Sequence, residues 1–304
     1  MSALPKPRDF APGVHAQTVI GDFVRDGAHL FGQPLDPRAC ADLLAGIRTT
    51  HGFGPALFLS EEEFDGERRD RGADPQPGRN ILDGFEDRLG FVEQVPQITE
   101  AATAMLGPGY EVLERKVVCS LSACAIPDWL KTRLAAKPAT SLDAWVRPQH
   151  RDMTYVHGID FHQDLIDHGL RPADFVTLDV CLHPVGRSDA PLCLLEGSHV
   201  LGGSVFPHNL TRIGDADWLY VNKPWGEVVA RRRVLTGGPG TAALWHACTL
   251  HGAEPGVSGH ERISLRYRLA RRHGGQAGLD AVNAGLNGPL SLGATRLDAA
   301  SGRR

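Results

Sequence analysis

Cysteine is scarce and unclustered in this sequence of 304 residues: its 6 copies include no Cys-x-x-Cys pair. So few thiols in so long a chain provide neither a thiolate zinc cage nor a disulfide framework, and reduced side chains are expected. Long apolar runs are also missing, so no stretch is fit to span a bilayer. Residues 1–8 include Lys6 and Arg8 and lack the apolar core of a signal peptide, which makes a cytoplasmic protein the expectation. There is no basic excess: 32 Lys and Arg stand against 36 Asp and Glu, a net charge of -4. That removes the electrostatic footprint of nucleic-acid binding. What is left is a chain long enough for a large core, and barrel-type β folds of this length are often one domain.

The positive signal is Phe161-His162-Gln163-Asp164, with His251 and Arg262 far downstream. Residues two apart on a strand emerge on one face, so His162 and Asp164 can grip one metal while Gln163 points away. His251 would add a second imidazole. Two histidines and one carboxylate leave several coordination positions open, the arrangement by which non-haem Fe(II) oxygenases bind a cosubstrate and dioxygen together. The planar guanidinium of Arg262 suits bidentate pairing with the distal carboxylate of 2-oxoglutarate.

With these residues the chain resembles the phytanoyl-CoA dioxygenase-like family of Fe(II)/2-oxoglutarate oxygenases. Asp22-Phe23-Val24-Arg25-Asp26-Gly27-Ala28-His29-Leu30-Phe31 is similar to the family's opening strand. Ala190-Pro191-Leu192-Cys193-Leu194-Leu195-Glu196-Gly197-Ser198-His199 is similar to its Pro-Gly-Ser-His segment, with Glu196 where proline is usual. His251-Gly252-Ala253-Glu254-Pro255 through Arg262 matches the distal histidine and the oxoglutarate-binding arginine. The resemblance implies a double-stranded β-helix with helices outside one sheet. It also implies Fe(II), 2-oxoglutarate and dioxygen as reactants, and oxidation of a small molecule coupled to release of succinate and carbon dioxide. Halogenating relatives have Gly or Ala where this chain keeps Asp164, so hydroxylation of an unactivated C–H bond, in secondary metabolism, is the default outcome. Desaturation, ring formation and epimerisation use the same ligands.

Local patterns agree with a mainly β fold carrying flanking helices, a jelly roll of cupin type. Asp36 can cap a helix with Pro37 at its first position, after which Cys40, Leu43, Leu44 and Ile47 recur at helical spacing. Ile98, Ala101, Ala102, Met105 and Leu106 form a second stripe ending at Gly107-Pro108-Gly109. A strand follows from Glu111 to Cys119. Val176, Leu178, Val180 and Leu182 alternate with Phe175, Thr177, Asp179 and Cys181, and further strands cover 241–245 and 263–269. No regular βαβ alternation appears, which favours two antiparallel sheets. The expected organisation is one domain over 1–304: a helical part to about 110, a jelly-roll core to about 275 and a tail over 276–304. Segments 60–79, 126–158 and 200–224 read as loops.

Each candidate has rivals. The chain holds 14 histidines. His246 competes with His251, although its place beside Trp245 in an apolar strand suits a structural role, and His157, Asp160, His168 and His199 lie near the motif. Arg262, Ser264, Arg266 and Arg268 share one face of a strand by parity. Arg262-x-Ser264 is an arrangement that related oxygenases use so that the hydroxyl helps hold the same carboxylate; Ser264 as an ordinary strand serine is an equal reading. Arg266 is a candidate for an anionic substrate or for the solvent edge. Arg231-Arg232-Arg233 reads as a solvated face, with the phosphates of an acyl-CoA as the weaker alternative. Trp129, Trp145 and Arg147 are candidate substrate residues on a lid that excludes water, or else anchors of their loop. A cupin-like isomerase or hydrolase, which would not need Arg262, and a catalytically silent binding protein on the same fold are the alternative functions. Oligomeric state is not encoded in these patterns.

Overall fold

The computed structural model describes residues 14–50, 52–66, 80–135, 140–272 and 277–293. The helices are α1 (Val14–Asp26), α2 (Pro37–Thr50), α3 (Glu61–Gly66), α4 (Gly90–Glu93), α5 (Pro96–Leu106), α6 (Asp128–Leu134) and α7 (Gly278–Ala284). The strands are β1 (Ala28–Gly32), β2 (Glu111–Ser120), β3 (Thr140–Ser141), β4 (Thr154–His157), β5 (Ile159–His162), β6 (Phe175–Cys181) and β7 (Leu192–Glu196). They continue with β8 (Asn209–Arg212), β9 (Asp217–Asn222), β10 (Gly226–Val234), β11 (Ala242–His246), β12 (His251–Ala253) and β13 (Arg262–Ala270).

Two sheets result, one in the order β1-β11-β6-β13-β2-β4-β3 and the other β5-β12-β7-β10-β9-β8. Every pairing is antiparallel except β2 with β4. This is the expected double-sheet jelly roll. The alternating residues of β6 and β13 explain the layering: Val176, Leu178, Val180, Ile263, Leu265, Tyr267 and Leu269 form one continuous core with Leu43, Ile47, Ile98 and Met105 of the helices. Each large aliphatic side chain so buried contributes about 1.5–3 kcal/mol. The opposite faces of the same strands carry Thr177, Asp179, Arg262, Ser264, Arg266 and Arg268, all buried. One sheet thus has an oily back against helices and a polar front against the second sheet.

The helix signals act as expected. The Asp36 carboxylate accepts from Arg38 N at 2.9 Å, and Cys40, Leu43, Leu44 and Ile47 are buried. Helix α5 ends at Gly107, whose φ of 87° and ψ of 168° lie in a positive-φ region that glycine alone adopts readily.

Three expectations require correction. Asp22 to Asp26 belong to the last turns of α1 rather than to an opening strand, which is only Ala28–Gly32; that strand joins β11 as a sheet edge. Segment 200–224 contains β8 and β9 rather than loop alone, because Leu210, Trp218, Tyr220 and Val228 pack with Leu195, Leu201 and Leu250 on the outer face of the second sheet. The described residues of segment 126–158 likewise include α6, β3 and β4. Of segments 60–79 and 276–304, residues 67–79, 276 and 294–304 lie outside the described residues. Among the described residues no helix is long and apolar enough to cross a membrane.

Candidate metal centre

His162 closes β5 and His251 opens β12, and the two are paired across the sheet. Asp164 stands just past the strand, at the start of a 3-10 turn over Asp164–His168; the intervening Gln163 remains extended, so the same-face relation with His162 survives. The side chain of Gln163 points elsewhere and donates to the carbonyls of Gly202 and Cys248. Gly252 fits the histidine against its neighbour, since a Cβ there would lie 2.7 Å from Ile159 O on β5.

The three side chains are buried and offer ligand atoms that all lie within 4.8 Å of one another. His162 Nδ1 is 2.9 Å from Asp160 O, and His251 Nδ1 is 3.1 Å from Thr249 O. A ring nitrogen facing a carbonyl must carry the proton, which leaves each Nε2 with its lone pair. His251 Nε2 is buried without a hydrogen-bond partner and lies 3.6 Å from Asp164 Oδ2. An orphaned lone pair beside a carboxylate is what a divalent cation would satisfy, and the mixed nitrogen and oxygen set suits iron.

Burial governs the charges. It pushes His251 down to about 3 and lowers His162 as well, so both rings are neutral and fit to ligate. Burial also opposes the charge of Asp164, but the guanidinium groups of Arg268 and Arg266 beside it hold the carboxyl well below the usual range. Its Oδ2 accepts from Thr177 Oγ1 at 2.7 Å and Trp245 Nε1 at 2.9 Å, while Oδ1 accepts from Arg268 Nη2 at 3.0 Å.

Along the polar front of β13 the arginines divide. Arg262 donates from Nε to Ala190 O at 2.8 Å and from Nη1 to Ser264 Oγ at 3.2 Å. Ala190 presents that carbonyl from a left-handed backbone, φ 52°, uncommon outside glycine. Ser264 Oγ in turn donates to Asp179 Oδ1 at 3.0 Å. Arg266 lies 5.5 Å over the Trp245 ring, makes one long contact of 3.5 Å with Asp179, and keeps a buried Nε without a partner. Cross-strand pairing opposes Arg268 to Thr177, Arg266 to Asp179 and Ser264 to Cys181, so these positions form successive rungs leading away from Asp164.

His246 is not part of the cluster. Parity sends it to the face opposite Trp245, where Nε2 meets Asn283 Oδ1 at 3.0 Å and Nδ1 accepts from Cys248 N. His199 is buried against Gly27, His168 meets Arg268, and His157 meets Leu121 O. Burial pushes His246 down to about 3 and His199 to about 4. In the unfolded chain both bind protons near 6.5. Their neutrality in the fold therefore contributes stability that is present above about pH 6.5 and lost as pH falls through 4 and 3. Urea titrations of metal-free protein should show stability dropping between pH 7 and pH 4.5, with a shallower drop in His199→Gln.

Trp129, Trp145 and Arg147 are held elsewhere. Both indoles pack on the helical core and flank Phe64 of α3, at ring separations of 6.0 and 6.1 Å. Arg147 pairs twice with Glu63 at 2.8 Å. None of these contacts reaches His162, Asp164 or His251. Trp145→Ala is therefore expected to lower the melting temperature, by an amount matching about 3 kcal/mol of lost packing. Succinate and oxidised product should remain coupled; uncoupled turnover at unchanged stability would restore the lid.

The residues missed in the sequence are Thr177, Asp179, Glu114, Asp167 and the role of Arg268. Thr177 and Asp179 had a signal, because they are polar at alternate positions of an otherwise apolar strand.

The family model for phytanoyl-CoA dioxygenase (PhyH) matches residues 23–264. A curated protein of Stutzerimonas stutzeri, described as a probable alpha-ketoglutarate-dependent hypophosphite dioxygenase, is 30% identical over 113 residues, and the match covers 36% of this chain and 38% of that protein. Among solved structures, a non-heme alpha ketoglutarate dependent carbocyclase from nogalamycin biosynthesis superposes with a TM-score of 0.53 at 13% identity, covering 93% of this chain and 96% of that one. The epimerase SnoN, in complex with Fe3+, alpha ketoglutarate and nogalamycin RO, gives 0.51 at 15% identity, covering 84% and 83%. At such identities these two likenesses speak for the fold.

Proposed function

Because this chain belongs to the phytanoyl-CoA dioxygenase family, we propose that it is an Fe(II)- and 2-oxoglutarate-dependent oxygenase acting on a small molecule. The observation that carries the reading is the buried His162, Asp164, His251 cluster, with the unpartnered Nε2 of His251 inside it. Arg262 and Ser264 on the same polar front support a cosubstrate, which a simple metal-binding isomerase or hydrolase would not require.

In this reading His162, Asp164 and His251 hold the ion by Nε2, carboxylate oxygen and Nε2. Iron and 2-oxoglutarate together supply a dioxygen-dependent oxidant, with succinate and carbon dioxide as the by-products of cosubstrate consumption. Arg262 binds the distal carboxylate, and Ser264 turns its hydroxyl from Asp179 to the same group. Leu192, Leu194, Ala243 and Trp245 form a buried apolar cluster between the sheets, which keeps bulk water from the centre and strengthens the charge pairs there. Arg266, with its spare Nε–H beside Trp245, is positioned to orient an anionic group of the substrate.

The finer outcome proposed is hydroxylation of an unactivated C–H bond, since Asp164 retains the carboxylate. The fold itself is shared with proteins described as an epimerase and a carbocyclase, so it does not choose the outcome. The test is succinate formation from 2-oxoglutarate by purified protein supplied with Fe(II) and dioxygen. Succinate that depends on all three supports the reading, and its absence in iron-loaded protein would refute it.

A further inference from the structure

Arg268 differs from its neighbours on β13 in that both of its terminal nitrogens meet carboxylates, while its Nε is buried without a hydrogen-bond partner. It donates from Nη2 to Asp164 Oδ1 at 3.0 Å and to Asp167 Oδ2 at 2.7 Å. From Nη1 it meets His168 Nε2 at 3.0 Å and Glu114 Oε2 at 3.2 Å. Its side chain is only 5% exposed, whereas Asp167 and Glu114 reach the surface. Facing a guanidinium, His168 Nε2 must accept, so that ring is neutral; burial and then Arg268 itself lower its proton affinity.

The two oxygens of Asp164 are thereby made unequal. Oδ2 is the one 3.6 Å from His251 Nε2, and Thr177 and Trp245 fix the carboxylate plane through it. Oδ1 is turned to Arg268. A carboxylate with both oxygens free can take two positions on a cation. At this centre the second position would be one that a chelating cosubstrate or dioxygen needs.

We propose that Arg268 is a positioning residue of the candidate metal centre: by holding Oδ1 it makes Asp164 a one-oxygen ligand, keeping coordination positions open. The inference rests on the iron reading given above. Lysine in its place would keep the positive charge but lose the planar fork that reaches Asp164 and Asp167 from one nitrogen and Glu114 and His168 from the other. Asp167 and Glu114 each hold Arg268 from a different side, and Glu114 also pairs with Lys116, so neutralising either one singly leaves the Asp164 contact in place.

The test combines anaerobic Fe(II) titration by calorimetry, the visible spectrum of Co(II)-loaded protein, and X-ray absorption of Fe(II)-loaded wild type. Arg268→Lys and Arg268→Met should weaken Fe(II) binding about 10–100-fold, as for other partners of metal ligands, and should change the Co(II) spectrum. Asp167→Asn and Glu114→Gln should stay close to wild type in both. Fe(II) affinity and Co(II) spectrum unchanged in Arg268→Lys would overturn the proposal. So would a bidentate carboxylate in the wild-type absorption data, a measurement that stands even where an Arg268 variant does not fold. Wild type that takes up no Fe(II) would instead remove the functional reading beneath it.

Discussion

His251→Ala is expected to abolish Fe(II) uptake while leaving the double sheet folded. The substitution removes one of three donors from a cluster within 4.8 Å, and loss of a mere partner of a ligand already costs 10–100-fold in affinity. Loss of the ligand itself should exceed about 100-fold. Folding should survive because β12 is held by backbone pairing to β5 and β7, while the His251 ring adds one bond to Thr249 O and ring contacts with His162 and Trp245. His246→Ala is the control, since its ring serves Asn283 and Cys248 N; it should lower stability and spare iron binding. Calorimetric titration with Fe(II) beside thermal melts of both variants separates the cases. Iron binding retained in His251→Ala, or lost only in His246→Ala, would move the ligand.

Arg262→Ala should raise the 2-oxoglutarate requirement by a factor on the order of 30 or more. Removing one partner of a buried, hydrogen-bonded charge pair costs roughly 2–5 kcal/mol, and about 1.4 kcal/mol is tenfold. Arg262 is 2% exposed, so water cannot replace it at the cosubstrate's carboxylate. Arg262→Lys should recover part of the loss by charge alone, without the fork. Ser264→Ala should produce a smaller rise, since the hydroxyl also serves Asp179. The measurement is KM for 2-oxoglutarate against kcat for succinate release. An unchanged KM in Arg262→Ala would transfer the role to Arg266, whose Nε is buried and unpartnered.

The sequence alone determined the family resemblance, the two-sheet architecture and the three candidate donors, for a common physical reason. Period-two alternation from Phe175 to Cys181 and from Arg262 to Ala270 states which side chains share a face, and His162 and Asp164 obey the same parity across extended Gln163. Local geometry suffices for such statements. Arg262 eleven residues on and the following Gly252 favour His251 over His246 in the sequence, and only the structure shows the Trp245 indole bonding to Asp164. The tertiary structure alone decided which polar residues meet. Glu114, Asp167 and Arg268 converge from β2, the turn after β5, and β13, and no spacing along the chain encodes that. Likewise Trp129 and Trp145 lie close to the metal motif in sequence, yet Phe64 and the ion pairs of α3 hold them on the helical side. Burial sets the charges: water excluded from between the sheets keeps His162 and His251 neutral, whereas the arginines keep Asp164 charged, and those protonation states are properties of the folded surroundings.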